Sequence, residues 1–310
     1  MATLKSDPTT ASASALRPLK GLRILSLALN LPGPAALMRC VEMGARCVKL
    51  EPPPPQGAPE GASGDPMSQY NPTAYATLHR GVSTIAADLK TEKGQKILQR
   101  ELARTDLLLT SFRPSALVKL GLTWKALHKQ YPALSQVAIV GAPGARAEAP
   151  GHDLTYLAEN DLITGLALPA TLYADMGGSL MTSEAVLRAV LLQRSQGKGV
   201  RLEIALSDAA RYLALPRSWG LTQTGAPVGG GHAGYGIYNC KDGRVALAAL
   251  EPHFAARLCA AAGMEDASIK AMSTPATRQA MALWLLGKTR QALDKLAAEK
   301  DIPLHTLAMH

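Results

Sequence analysis

Apolar positions in this chain come in short runs separated by stretches with one polar face, and the alternation has a strand–helix rhythm. Leu22-Arg-Ile-Leu-Ser-Leu-Ala28 is a run of strand length. Pro32-Gly-Pro34 then interrupts the chain and offers a proline at a helix start. Ala35 to Met43 has helical spacing and stops at Gly44, a C-cap residue. Arg46-Cys-Val-Lys-Leu-Glu51 is the next strand, ended by the prolines from Pro52 to Pro55. A strand, a helix and a strand within about 30 residues form the unit of a parallel sheet.

The rhythm repeats downstream. It predicts an amphipathic helix over Thr91–Arg104, a strand at Asp106–Thr110, helices at Ala116–Leu120 and Trp124–Gln130, and a strand at Leu134–Val140. Gly177–Arg194 reads as a long, largely buried helix, turned by Gly197-Lys-Gly199 into a strand at Val200–Leu206. Beyond the patch Gly229-Gly-Gly231 come a strand at Arg244–Leu250 and helices at Pro252–Ala262 and Arg278–Leu286. The fold class is therefore α/β. A boundary near residue 225 separates a large domain over 19–224, closed by a linker helix, from a small one over 225–310. The polar, Ser/Thr/Ala-rich residues 1–18 predict a disordered leader, and Pro52–Pro66 a long, functional or mobile loop.

Charge narrows the choice of partner. The formal net charge is +9, which suits an anionic ligand. The basic residues are scattered among acids, and only two Phe are present, so neither a basic arm nor a stacking surface for nucleic acid is in evidence. A phosphate-bearing small molecule fits better than nucleic acid. Cys40, Cys47, Cys240 and Cys259 form no CxxC pair and have no histidine at zinc-ligand spacing, so free buried thiols and no metal are expected. The N-terminus has no apolar signal-peptide core, and no run approaches the ~18–20 apolar residues of a membrane span. A soluble, cytoplasmic protein with no membrane partner is the expectation. No G-x-G-x-x-G follows the first strand, which argues against a dinucleotide dehydrogenase.

Three features carry candidate chemistry. Pro150-Gly-His-Asp-Leu-Thr-Tyr156 places a histidine and an aspartate just after a loop; Tyr173-Ala-Asp-Met-Gly-Gly-Ser179 places an aspartate before a glycine pair that opens a helix; Leu250-Glu-Pro-His253 places an acid at a strand end. Singly, each has an ordinary reading. His152 suits a structural histidine bonded to backbone, Asp175 a helix N-cap, and Glu251 a first-turn acid favoured by the helix dipole.

Jointly they match a family. From about Leu19 onward the chain resembles the family III CoA transferases (CaiB/BaiF), and within them the α-methylacyl-CoA racemases most nearly. The resemblance rests on Gly151-His-Asp153, Ala174-Asp175-x-Gly-Gly178 and Ala249-Leu-Glu-Pro252, in that order. Gly33-Pro34, Val48-Lys-Leu-Glu51, His79-Arg-Gly81, Ala87-Asp-Leu-Lys90, Ser111-Phe-Arg-Pro114, Gly197-Lys-Gly199 with Asp208, and Asp242-Gly243 support it. It implies a Rossmann-like parallel sheet in the large domain, a smaller α+β second domain, and an interlocked homodimer of ring-like subunits.

The resemblance also implies roles. In the racemases the α-proton of a 2-methylacyl thioester, acidified by the carbonyl, is exchanged; His152 and Asp175 become the two acid/base groups, with Glu251 orienting the histidine. A histidine with its ordinary pKa near ~6.5 accepts a proton at neutral pH, whereas an aspartate near ~3.9 is a poor acid unless burial raises it. Amides at Met176-Gly-Gly178 would receive the enolate oxygen. In the transferase branch, the aspartate equivalent to Asp175 is instead a nucleophile that forms a mixed anhydride and releases CoA. Transferases generally lack the histidine, so His152 favours the racemase. No cofactor is implied beyond coenzyme A as part of the substrate. Its contacts carry over to Leu78, His79, Arg80 and Gly81, to Phe112, Arg113 and Lys119, and to Gly151, Asp153 and Tyr156, with Arg80, Arg113 and Lys119 suited to phosphate.

The chain departs from the pattern at four places. Pro52 stands where an arginine usually follows the acid, Val82-Ser83 replaces a basic pair, and Gly141-Ala-Pro-Gly-Ala-Arg146 alters a glycine-rich loop. The family's C-terminal return segment is missing after the Pro303 region, which implies an opened ring. A catalytically impaired acyl-CoA-binding paralogue is therefore the further alternative.

Overall fold

The computed structural model describes residues 16–59 and 62–309; of the leader expected over 1–18, residues 1–15 lie outside the described ones. The chain divides into two compact units, the first ending at Ala214 and the second beginning at Leu215. The division precedes the glycine patch because the hydrogen bonds of that segment go to the second unit. Ala233 N–H donates to Met272 O at 2.7 Å, and the Arg278 guanidinium donates to Gly230 O at 2.7 Å.

The first unit runs β1 (Arg23–Ser26), α1 (Pro32–Glu42), β2 (Arg46–Glu51), α2 (Pro66–Tyr70), α3 (Pro72–Leu78), β3 (Val82–Ala86), α4 (Glu92–Leu102), β4 (Leu107–Thr110), α5 (Pro114–Lys119), α6 (Trp124–Gln130), β5 (Ser135–Val140), α7 (Asp153–Glu159), α8 (Tyr173–Gln196), β6 (Arg201–Ala205) and α9 (Leu206–Leu213). Its six strands are all parallel in the order β3-β2-β1-β4-β5-β6. In this doubly wound order the connections reverse direction between β1 and β4, and a crevice opens there outside the carboxyl ends of the strands.

Strands β4 and β5 are buried at every residue, as central parallel strands covered on both faces must be. One face is covered by α1 and α8, through Leu37, Cys40, Ala185, Val186, Ala189 and Val190. The other carries α4, α5 and α6, through Leu98, Leu102, Leu117 and Leu127. The edge strand β3 has exposed Ser83 and Thr84 and no continuous apolar run, which is why the hydrophobic pattern does not announce it. Only one side of α8 is buried: Leu180 and Leu191 are exposed, contrary to the largely buried helix expected there.

The second unit contains α10 (Leu215–Ser218), β7 (Tyr235–Cys240), β8 (Gly243–Ala248), α11 (Pro252–Ala262), α12 (Ile269–Met272), α13 (Pro275–Leu286), α14 (Arg290–Lys300) and β9 (Leu304–Ala308). The antiparallel sheet β7-β8-β9 shares a core with α11, α12, α13 and α14, built on Val245, Leu247, Leu258, Met281, Leu285 and Leu293. All four cysteines are free and buried. Among the described residues no helix is long and apolar enough to cross a membrane.

Candidate active site

Two cavities open at the carboxyl ends of the parallel strands. The first, about 770 Å³, is walled by the loop after β1, by α2, by Ser111–Arg113 after β4, by the loop after β5 and by α7, with Asp175 of α8 facing in. The second, about 900 Å³, is lined by Glu51–Pro53 after β2, by Ala87–Lys90 after β3, and by Ala116 and Lys119 of α5. Phe112 lines both.

The Gly-His-Asp element starts α7. His152 is the exposed N-cap residue, and its backbone is held by Thr155, whose hydroxyl accepts from His152 N–H at 3.1 Å and donates to His152 O at 2.7 Å. That closure turns Asp153 inward, where it is buried and its Oδ1 accepts the Asp175 N–H at 3.0 Å. Helix α8 needs this acceptor. Its own N-cap is Leu172, which has none, so a carboxylate from a neighbouring helix satisfies one of the first-turn amides. Tyr156, one turn after His152, folds back over two glycines of the cavity wall, and its hydroxyl pKa is raised by burial.

Asp175 is the third residue of α8 rather than its N-cap, because the helix begins at Tyr173, upstream of the expected start. This also corrects the expected oxyanion donors. Met176-Gly-Gly178 lies inside the helix, and Met176 N–H already donates to Leu172 O at 3.0 Å. The glycine pair serves packing instead: a Cβ on Gly178 would stand 2.3 Å from Leu206 Cδ2, so the missing side chain lets α9 approach the second turn of α8. Burial pushes the half-buried Asp175 carboxyl up to about 6; the nearby Asp153 charge raises it further and His152 opposes the shift.

Of the residues assigned to coenzyme A by resemblance, Phe112, Arg113, Gly151, Asp153 and Tyr156 line the first cavity, and Phe112 and Lys119 the second. Leu78, His79, Arg80 and Gly81 line neither. The His79 ring is turned into a buried charged cluster: Nδ1 donates to Tyr75 O at 2.7 Å, so Nε2 is left to accept from the Lys49 ammonium at 2.9 Å. Burial lowers the His79 pKa and favours this neutral form.

Lys49 is fully buried, contacts Glu51 at 3.2 Å and bonds directly to Asp65. Glu51, Asp65 and His79 bring ligand-type atoms within 4.8 Å of one another, and the Lys49 ammonium already supplies the cation among them. Asp65 in turn receives the N–H groups of Asn30 at 3.2 Å and Met67 at 2.9 Å, both of which line the first cavity. The cluster is thus a brace behind the cavity wall.

Glu251 belongs to the second unit. It is the exposed N-cap residue of α11, makes no side-chain cap bond, and follows β8 by a short turn rather than ending it. Lys90, the last residue of the Ala87-Asp-Leu-Lys90 motif and not among the expected coenzyme A contacts, lines the second cavity beside Lys119 and Pro52.

The chain is similar to known proteins over most of its length. Residues 19–309 match CoA-transferase family III. A cinnamoyl-CoA:phenyllactate CoA-transferase of Clostridium sporogenes is 29% identical over 204 residues, which are 62% of this chain and 50% of the relative. The alpha-methylacyl-CoA racemase of Homo sapiens is 28% identical over 266 residues, 80% of this chain and 65% of the relative. The chain therefore spans between about half and two thirds of the length of these relatives. The crystal structure of a hypothetical protein from Mycobacterium tuberculosis superposes with a TM-score of 0.80 at 25% identity, covering 95% of this chain and 84% of the other. With nearly its whole length matched and the fold shared, the chain belongs to CoA-transferase family III.

Proposed function

We propose that the chain is an acyl-CoA enzyme that racemises 2-methylacyl thioesters, one of His152 and Asp175 removing the α-proton and the other returning its own proton to the opposite face. The observation that carries this reading is a carboxyl raised to about 6 in a cavity that the histidine also lines. Such a carboxyl donates a proton near neutrality and, once ionised, takes one back, whereas an ordinary aspartate would be a poor donor there.

In one direction the His152 imidazole removes the proton from C2 as the thioester carbonyl takes up the electron pair. The Asp175 carboxyl then delivers its own proton to the opposite face of C2. The reverse direction exchanges the roles, so the pair begins and ends each turnover with one proton between its members.

Two further features support the substrate class. Leu29, Leu31, Pro32, Met67, Ile139 and Leu172 give the first cavity an apolar wall suited to a hydrocarbon acyl group. The second cavity carries Lys90 and Lys119, whose ammonium groups suit the phosphates of coenzyme A, and Phe112 stands where the two cavities meet.

A transferase reading is favoured by the similarity to the cinnamoyl-CoA:phenyllactate CoA-transferase. There the Asp175 carboxylate attacks the thioester carbonyl, forms a mixed anhydride and expels the CoA thiolate, and His152 is dispensable.

Incubation with (2R)-2-methylacyl-CoA in D2O, followed by mass spectrometry of C2, separates the two. Deuterium uptake that disappears in His152→Ala supports the racemase. No uptake by the native protein, with hydroxylamine-trapped Asp175 and CoA release in the presence of an acyl-CoA, would replace it by the transferase.

A further inference from the structure

Asp153 follows His152 directly, yet it does different work. The histidine is exposed at the cavity, while the aspartate is buried and spends its carboxylate on the neighbouring helix. Helix α8 has no side-chain acceptor of its own at its N-terminus, and Asp153 Oδ1 supplies one, at 3.0 Å, to the amide of the residue proposed to carry the proton.

We infer that Asp153 is a positioning residue for proton transfer: by capping α8 at Asp175 it fixes the turn from which the Asp175 carboxyl reaches the cavity, and it sets a fixed negative charge beside that carboxyl. The functional half rests on the His152–Asp175 reading above; the structural half does not.

The surroundings of Asp175 single out Asp153 as its carboxylate neighbour. From α7 it is faced by His152, Asp153 and Tyr156, and from α2 by Tyr70, whose hydroxyl feels the Asp175 charge. On α9, Asp208 and Arg211 pair with one another at 3.0 Å. Arg39 of α1 bonds Ser183, two turns further along α8. Burial is the first cause of the raised Asp175 pKa and the Asp153 charge the second, so removing that charge lowers the proton affinity of Asp175.

Two substitutions separate charge from hydrogen bond. Asp153→Asn keeps a carbonyl oxygen for the Asp175 amide and removes the charge; Asp153→Ala removes both. The acid limb of the pH profile for deuterium exchange, where the pair first drops to one proton, should move to lower pH in Asp153→Asn. Asp153→Ala should lose turnover roughly 10- to 100-fold through misplacement of the carboxyl, and more than Asp153→Asn does.

Carbon-13 NMR titration of the Asp175 carboxyl reads the same effect without activity. The expected midpoint is about 6 in the native protein and lower in both variants, with faster amide hydrogen exchange at Asp175 in Asp153→Ala. An unchanged midpoint in Asp153→Asn overturns the inference, as does unchanged amide exchange in Asp153→Ala. A native protein that shows no α-proton exchange but whose midpoint moves on substitution would refute the racemase and leave Asp153 as the residue that positions and tunes Asp175.

Discussion

Tyr156 and Gly151 fit together only because the glycine has no side chain: a Cβ there would stand 2.5 Å from the tyrosine hydroxyl and 2.7 Å from the ring edge at Cε1. Gly141 makes the same allowance from the loop after β5, with a Cβ falling 2.3 Å from the hydroxyl and 3.2 Å from Cζ. The ring therefore ties α7 to the end of β5, and with it the His152–Asp153 pair to the sheet.

This packing predicts two unequal rescues. Gly141→Ala and Gly151→Ala should each cost about 1–3 kcal/mol of stability by overpacking, measured by urea unfolding. Adding Tyr156→Phe removes the hydroxyl, which is the near contact of Gly141, and should restore most of the loss there. At Gly151 the ring edge remains in the way, so the same second substitution should restore little. Equal rescue at both sites would show that the ring does not sit as described.

The raised carboxyl of Asp175 has a thermodynamic consequence. Its folded pKa of about 6 lies above the ordinary 3.8, so the ionised form disfavours the folded state. Stability from this group is complete below about pH 4 and is lost as pH rises through 6. Asp175→Asn should accordingly stabilise the protein at pH 8 by up to about 3 kcal/mol, an upper figure because the side chain keeps some solvent contact. The gain should vanish near pH 4, while racemisation is lost at every pH. Calorimetric melting at the two pH values checks it; a gain that persists at pH 4 would point to packing instead.

The buried brace behind the cavity predicts an order of damage. Lys49→Met leaves the Glu51 and Asp65 carboxylates buried without their cation, and should cost about 3–5 kcal/mol. Asp65→Asn keeps an acceptor for Asn30 and Met67 and leaves Lys49 paired with Glu51, so it should cost less. Chemical unfolding of the two variants tests the order, and its inversion would mean that Lys49 is not the hub.

Ligand affinity should depend on the second cavity's lysines. Lys90→Ala and Lys119→Ala are each expected to weaken binding of CoA about tenfold at low salt, the loss of one charge-assisted phosphate contact. The difference from the native protein should shrink as salt rises, as titration calorimetry would show. Phe112→Ala should weaken CoA binding by a similar factor with no change in salt dependence, since its contact is apolar. Binding unaffected by both lysines would place the phosphates elsewhere.

Much of the molecule was legible in one dimension. Runs such as Leu107-Leu-Leu-Thr110 and Ser135–Val140 are apolar because central parallel strands are covered on both faces, so they declared both their element and their class. Prolines at helix starts and Gly44 just beyond a helix end marked boundaries, because those positions demand special backbone conformations. The order of short motifs around His152 and Asp175 identified the family, and both residues line one cavity.

What local pattern could not hold was decided by contacts distant in sequence. Nothing near Lys49 announces Asp65 and His79 as its partners, and a histidine in a ligand-like motif turned out to face the core because a buried ammonium needed an acceptor. The glycine pair after Asp175 looked like a helix start, yet α8 begins earlier, since its missing N-cap is supplied from α7 by Asp153. Periodicity reports which face of an element is apolar. Hydrogen-bond partners and the proton affinity of a carboxyl depend on which groups the fold brings within a few ångströms, and only the tertiary structure fixes those distances.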